Sequence, residues 1–403
     1  MLPHLFRTEY TKIVAVLCRR FGFAQVENAE DIASDTFMLA AQTWPMQGIP
    51  QNPTAWLYHV AKNKAKNFLQ RNNLFEQKIS TELKKATPGF VVEDIDLSLQ
   101  NIQDSQLQMM FAICHPKIPV EAQIGLSLRI LCGFGIEEIA DAFLSNKETI
   151  NKRLSRAKEK LRDEKIEIEL PAPAEIDDRL ETVLHTIYLL FNEGYYSSSN
   201  NQTVRKDLCL EAIRLCAILL ENEATNKPSV NALLALMCFH ASRIDARMDE
   251  NGELILYDDQ DTSLWNAELI SKGAYFLKNA ASGNKLSKYH LEATIAYWNT
   301  QKEDTPEKWE TILQLYNRLL QIEYSPMAAL NRTFALSKAN SKQEAIKEAE
   351  KLNLSGNQFY FLLLGELYTG IDNKKAKQHL LTALNMAKTQ TVKHTIQKRL
   401  ALL

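Results

Sequence analysis

The sequence predicts an all-α protein, and three observations carry that prediction. Only 13 Gly and 12 Pro punctuate 403 residues, below the usual shares of about 7% and about 5%, which suits long helices with short connections better than many-stranded sheets. Apolar residues recur at spacings of three and four residues along most of the chain, the period of an amphipathic helix. Beyond a proline-rich joint, LPAPAE at 170–175, the helical pattern is almost continuous from 176 to 403, and such a joint suits a linker between domains.

Composition narrows the class. Hydrophobic residues at 45% and charged residues at 24% are ordinary for a globular protein, and the length suits two or three domains. The six cysteines are scattered, with no C-x-x-C pair and no Cys/His ligand spacing. They read as buried, reduced thiols of a cytoplasmic protein, and no metal or cofactor is expected. No uncharged apolar stretch reaches 18 residues, which argues against a membrane span. The start, MLPHLFRTEY, lacks a long apolar run and a small-residue cleavage site, so no signal peptide is expected. The net charge of −2 advertises no nucleic acid, but two short segments are strongly basic.

Residues 1–72 read as helices. Leu5, Tyr10, Ile13, Val14 and Leu17 keep helical spacing, as do Ile32, Thr36, Phe37 and Ala40. Pro45, Gly48, Pro50 and Pro53 make a loop, and a new helix opens after Asn52-Pro53. That helix, NPTAWLYHVAKNKAKNFLQRN at 52–72, is the first basic segment. Leu57, Ala61, Ala65, Phe68 and Leu69 form its packing stripe, while Lys62, Lys64, Lys66 and Arg71 supply charge with almost no acid nearby. Aromatic residues beside cations suit single-stranded DNA, where stacking contributes about 1–3 kcal/mol per base. The competing reading makes Trp56 and Tyr58 core residues, and for Trp56 alone it is the stronger one. Residues 73–110 are polar, with Pro88-Gly89 and Glu93, Asp94 and Asp96 suggesting a linker.

The second basic segment, GIEEIADAFLSNKETINKRLSRAKEKLR at 135–162, is the most informative. Ile136, Ile139, Ala140 and Phe143 give one apolar face, and Leu144-Ser145-Asn146 interrupts it. Ile150, Leu154, Ala157 and Leu161 then make a second stripe, on a helix otherwise rich in Lys and Arg. A short helix, a tight turn and a longer basic helix make a helix-turn-helix. Lys147, Glu148, Asn151 and Lys152 on its first turns would face base edges, since Lys donates to guanine and Asn bonds adenine. Arg153, Arg156 and Lys158 would meet phosphates, which set register without reading sequence. The bland alternative is a solvated basic face on an ordinary helix pair; the ordered spacing disfavours it.

Together, in this order, these segments resemble the sigma factors of the extracytoplasmic-function (ECF) type. AEDIASDTFMLA at 29–40 looks like the region 2 helix that docks on the polymerase β′ subunit. The segment at 52–72 looks like the helix after the −10 specificity loop, and 135–162 looks like region 4, which binds the −35 element. The resemblance implies a region 2 bundle at 1–72, a linker at 73–110, and region 4 at 111–165. It further implies that Glu30, Asp31 and Asp35 face core RNA polymerase. The loop Pro45–Pro53 would take a flipped base, and Trp56, Lys62, Asn63, Lys66, Asn67 and Arg71 would hold the melted strand of promoter DNA. Ser34 departs from the family, which often has Gln there.

Residues 176–403 need their own account. FLLLGELY at 361–368, followed by Ala376, Leu380 and Ala383, is close to the tetratricopeptide signature, and a partial copy starts at Pro326. Stacked helix pairs leave a concave groove, which would take a protein or peptide partner. RLETVLHTIYLLFNEGY, DLCLEAIRL, ALLALMCFHASRIDAR and LYDDQDTSLWNAELI resemble an ECF subgroup whose C-terminal extension is thought to govern activity. The Asp258–Asp261 loop suits either a cation or, more strongly, the cap of a helix starting near Ser263. Gly194 reads as a helix C-cap; His185, His240 and His290 read as packing residues. A helix-turn-helix regulator acting without polymerase is the alternative function. An enzyme ranks last, because no nucleophile–base pair or phosphate-binding loop is visible.

Overall fold

Every regular element is helical among the described residues, with eighteen α-helices and no strand. The computed structural model describes residues 1–80, 95–143, 145–195, 206–247, 255, 257–301, 303–387 and 390–403. Pro88, Gly89, Glu93, Asp94, Leu144 and Leu256, all used in the sequence reading, lie outside them. The chain divides into two compact units, Met1–Leu189 and Leu190–Leu403.

In the first unit, α1 (Leu2–Phe21), α2 (Val26–Gln47) and α3 (Pro53–Ser80) pack on one another. Gly22 and Gly48, at φ 82° and 84°, end α1 and α2, a conformation that favours glycine. α2 runs on through Pro45, so the loop expected from Pro45 starts only at Gly48. Pro53 opens α3, and the Asn52 side chain accepts a hydrogen bond from the Ala55 N–H at 3.0 Å, a cap with proline at the first position. Ile13, Val14 and Leu17 of α1, Ala33, Phe37 and Ala40 of α2, and Leu57, Ala61 and Ala65 of α3 are buried together. The apolar stripes therefore form the core that their spacing predicts.

The expected linker contains a helix. α4 (Leu99–Ile113) packs on α1 and buries Ile102, Leu107, Met109, Met110, Phe111 and Ile113. Its hydrophobic period is masked because it also buries polar residues, with Ser105 donating to the Asn101 carbonyl four residues back. That local bond satisfies a hydroxyl that burial would otherwise penalise.

α5 (Val120–Leu126) runs into a π-helical turn, Ser127–Leu131, and then come α6 (Ile136–Ala142) and α7 (Lys147–Asp163). Ile150, Leu154, Ala157 and Leu161 are all buried on α7. A Cβ on Gly125 would lie 2.9 Å from Leu154 Cδ2, so the glycine lets α5 and α7 approach closely. α8 (Ile176–Tyr195) follows; near its start Arg179 donates to the Phe111 carbonyl at 2.6 Å, and Thr186 donates to Gln123 at 3.0 Å. Gly194 lies inside the last turn of α8 rather than capping it, because Tyr195 remains helical.

The second unit continues with α9 (Lys206–Ile218), α10 (Pro228–Ala241), α11 (Ala267–Ala280), α12 (Lys288–Trp298), α13 (Pro306–Ile322), α14 (Pro326–Ala339), α15 (Lys342–Leu352), α16 (Gln358–Tyr368), α17 (Asn373–Met386) and α18 (Gln390–Ala401). The two repeat-like stretches are the pairs α14–α15 and α16–α17. Ala335, Ala345, Ala349 and Ala376 are fully buried, and a Cβ on Gly365 would come within 2.6 Å of the Leu380 side chain. Small side chains thus set the helix separation. His290 closes a capping box with Ser287 at the start of α12, and His240 packs against Tyr195 with ring centroids 4.7 Å apart. Asp261 accepts from the Ser263 N–H at 2.8 Å, capping a 3-10 turn, while Asp259 pairs with Arg399 at 2.6 Å. No group of three or more metal-ligating side chains occurs among the described residues. The six cysteines are free and buried. No helix is long and apolar enough to cross a membrane among these residues.

Candidate nucleic-acid interface

The helix-turn-helix segment presents two unlike halves. α7 starts at Asn146, whose side chain accepts from the Thr149 N–H at 2.8 Å. Lys147, Glu148, Asn151, Lys152 and Arg156 are exposed, the first of them ion-paired with the exposed Glu137. Arg153 lies with its guanidinium 5.6 Å from the Phe143 ring centre. The N-terminal half therefore offers cations and an amide on an open face. Beyond Arg156 the pattern changes. Lys158 donates to Glu30 Oε2 at 2.6 Å, and its side chain is only 13% exposed. One turn on, Arg162 pairs with Glu27 at 3.0 Å.

Glu30 is consequently buried, at 8% exposure. Its second oxygen accepts from Arg129 Nε at 3.0 Å, and Arg129 Nη1 also donates to the Phe134 carbonyl. Two residues expected to meet different partners, Glu30 by resemblance and Lys158 by its place on the helix-turn-helix, are thus brought together. Asp31 and Asp35 remain exposed on α2, with Asp35 paired to Lys64 of α3 at 3.3 Å. The participation of Arg129, Glu27 and Arg162 has no signal in the linear sequence, since each pairs across about a hundred residues or more.

On α3, Asn63, Lys66, Asn67 and Arg71 are exposed along one edge, with the Asn63 amide 3.0 Å from His59. Lys62 is half-buried. Trp56 is also half-buried and meets the buried Trp44 edge-on, with centroids 5.5 Å apart, a packing arrangement favourable to aromatic pairs. Tyr58 donates to Glu9 at 2.5 Å, and Lys12 holds the same carboxylate. Burial, then the Glu9 hydrogen bond, pushes the Tyr58 hydroxyl far above its usual range, so it stays protonated and donates to Glu9. Met46, in the last turn of α2, and Ile49, in the loop before α3, are exposed apolar side chains.

An open cationic edge on α3 and an open first half of a helix-turn-helix helix are what a DNA-binding chain needs, and known proteins bear on this directly. The family described as sigma-70 region 2 matches residues 5–74. An uncharacterized protein of Rhizobium meliloti (strain 1021), R00370, is 33% identical over 358 residues, covering 86% of this chain and 82% of that protein. This chain belongs to the same family. The ECF RNA polymerase sigma-E factor of Haemophilus influenzae is 25% identical over 160 residues, 39% of this chain and 83% of that protein. Region 2 and the sigma-E likeness support a sigma factor role for this family member. Residues 179–281, the first part of the helical extension, match a family of unknown function (DUF6596). No solved structure matches the chain.

Proposed function

We propose that the chain is an ECF-type sigma factor that joins core RNA polymerase through its β′ subunit and directs initiation at selected promoters. The observation that carries this reading is the sigma-70 region 2 match at residues 5–74, followed in the same chain by a helix-turn-helix whose first half is open. Residues 1–72 act as region 2, 73–110 as the connection, and 111–165 as region 4. Glu30, Asp31 and Asp35 face polymerase, where acidic groups suit a basic partner surface. Asn63, Lys66, Asn67 and Arg71, with Lys62 and Trp56 behind them, hold the melted −10 strand. Lys147, Glu148, Asn151 and Lys152 read the −35 element in the major groove, flanked by phosphate contacts from Arg153, Arg156 and Lys158. The chain performs no covalent chemistry; polymerase makes the bonds, in the cytoplasm. Residues 176–403 modulate activity and offer a groove to a protein or peptide partner.

The test is reconstitution with core RNA polymerase and a promoter library. Promoter-dependent initiation is the expected result. A chain that shifts duplex DNA by itself yet never joins core polymerase is instead a helix-turn-helix regulator. A truncation that probes the extension should keep residues 1–195, because Arg179 and Thr186 of α8 bond to Phe111 and Gln123. Unchanged transcriptional output from that fragment would remove the regulatory role.

A further inference from the structure

The second unit buries a cation that no described carboxylate neutralises. Arg243 follows α10, opens the 3-10 turn Ile244–Ala246, and is only 7% exposed. Its guanidinium lies 5.3 Å from the Tyr257 ring centre and 5.8 Å from that of Trp265. Ring faces offset part of the cost of burying a charge, yet Nε and Nη1 of Arg243 are buried and make no hydrogen bond. Described acids close by in sequence are engaged elsewhere: Asp245 with Lys206, Asp259 with Arg399, and Asp261 on the Ser263 N–H. The same stretch holds two more orphans. Trp265 has a buried Nε1–H with no acceptor, and Gln260 a buried Oε1 with no donor. The Gln260 amide N–H donates to the Ile255 carbonyl at 3.4 Å, which leaves Oε1 as the acceptor. Buried polar groups are paired in the great majority of cases, so these atoms point to a partner from outside the chain. The local charge is one-signed: burial, then Arg243 and Arg247, holds His240 well below its usual range.

We propose that Arg243, Trp265 and Gln260 form a binding site for a small organic carboxylate that carries a hydroxyl or amino group. Three N–H donors beside one full positive charge suit a monoanion with two acceptor oxygens, which a carboxylate supplies. Phosphate fits less well, because its second charge would be buried against a single guanidinium. The next cation, Lys308, is already engaged by the Tyr257 hydroxyl and by the Gln301 and Glu303 carbonyls. Gln260 Oε1 accepts, so the ligand must also donate. Tyr257 and Trp265 supply flat apolar walls, a usual lining for a small-molecule site. Access runs past the 3-10 turns Tyr257–Asp259 and Thr262–Leu264, since single turns open at lower cost than packed helices. All three residues lie within the 179–281 match, and the inference goes beyond the sigma reading without depending on it.

The test follows the thermal unfolding midpoint of the full chain against rising sodium acetate, glycolate or phosphate, with chloride at matched ionic strength as reference. Glycolate, which adds a hydroxyl to acetate, should raise the midpoint and saturate. Acetate should need about tenfold more for the same shift, the loss of one buried hydrogen bond. Arg243→Met should abolish both responses and leave the ligand-free midpoint level or higher, because it removes an unpaired buried charge. Trp265→Phe keeps the ring but loses the N–H, and should weaken glycolate about tenfold. A ligand-free midpoint that drops steeply in Arg243→Met would reveal a counter-ion within the chain and overturn the site. Carboxylates that act no better than chloride on the parent overturn it too, as does a glycolate response that survives Arg243→Met or is untouched by Trp265→Phe. A phosphate response equal to that of glycolate overturns the carboxylate assignment.

Discussion

α3 and α7 carry similar runs of Lys and Arg, yet their charge is used differently. Along α3, Lys66 and Arg71 stand open at an edge whose opposite stripe, Leu57, Ala61 and Ala65, is buried. Along α7 beyond Arg156, Lys158 and Arg162 turn to acids of α2, while Lys160 stays exposed and pairs with Glu164 of its own chain segment. The difference follows from neighbours, not composition. α7 packs on α5 and reaches the start of α2, where Glu27 and Glu30 are waiting. On α3, the acid that meets Lys64 is Asp35, which is itself exposed. A cation beside a buried carboxylate is structural; a cation beside water remains available to a phosphate.

The sharpest way to break that contrast is Glu30→Ala. It leaves Arg129 and Lys158 without their counter-ion, and such losses at buried pairs cost about 3–5 kcal/mol. Urea unfolding of the full chain should show the loss in the first unit; a midpoint unchanged from the parent would mean the triad carries no structural weight. Next come the open cations. Lys152→Ala and Arg156→Ala should each reduce the salt slope of duplex binding by about 1, with little change in stability. Lys158→Ala should do the reverse, losing stability while the slope of the free chain stays close to the parent's. Equal slopes for all three variants would erase the distinction between the halves of α7.

A smaller effect is set by pH. Burial, then the nearby Arg179 and Lys117, lowers His115 to about 4, whereas the unfolded chain binds that proton near the ordinary value of about 6.5. The unfolded state therefore takes up the proton first as pH falls. Stability in the first unit is full above about 6.5 and declines toward about 4. His115→Gln should flatten this part of the profile of unfolding midpoint against pH, and an unaltered slope would reassign it to other groups. The smallest change is expected for Asp35→Asn on the α2–α3 side. Exposed pairs of this type contribute about 0–1 kcal/mol, so a loss comparable to that of Glu30→Ala would show that the two pairs do not differ as their burial implies.

Much of the fold is legible in residue spacing. The stripe Ile150, Leu154, Ala157 and Leu161 is buried as its period requires, and Asn52-Pro53 opens α3 as its chemistry requires. α4 escapes such a reading because it buries Ser105 and Gln106 along with its apolar residues. Gly194 misleads because a glycine near a helix end can also continue the helix. For the candidate site, residue type identified the charged segments but not their occupants. Glu30 and Lys158 both look like ligands for an outside partner until the chain folds them together, 128 residues apart. Asp259 likewise loses its apparent freedom only when Arg399 reaches it from α18.

The sequence by itself determined the all-α class, the Asn52-Pro53 start of α3, the apolar stripes and the presence of two basic helices. Each of these depends on periodicity and local hydrogen bonding within a few residues. Only the tertiary structure decided which charges stay free. Pairing falls off over a few ångströms and is worth most where water is excluded, and both conditions are set by distant segments meeting. The helix-turn-helix was visible from its spacing; that Lys158 and Arg162 of its basic face are already taken by α2 was not.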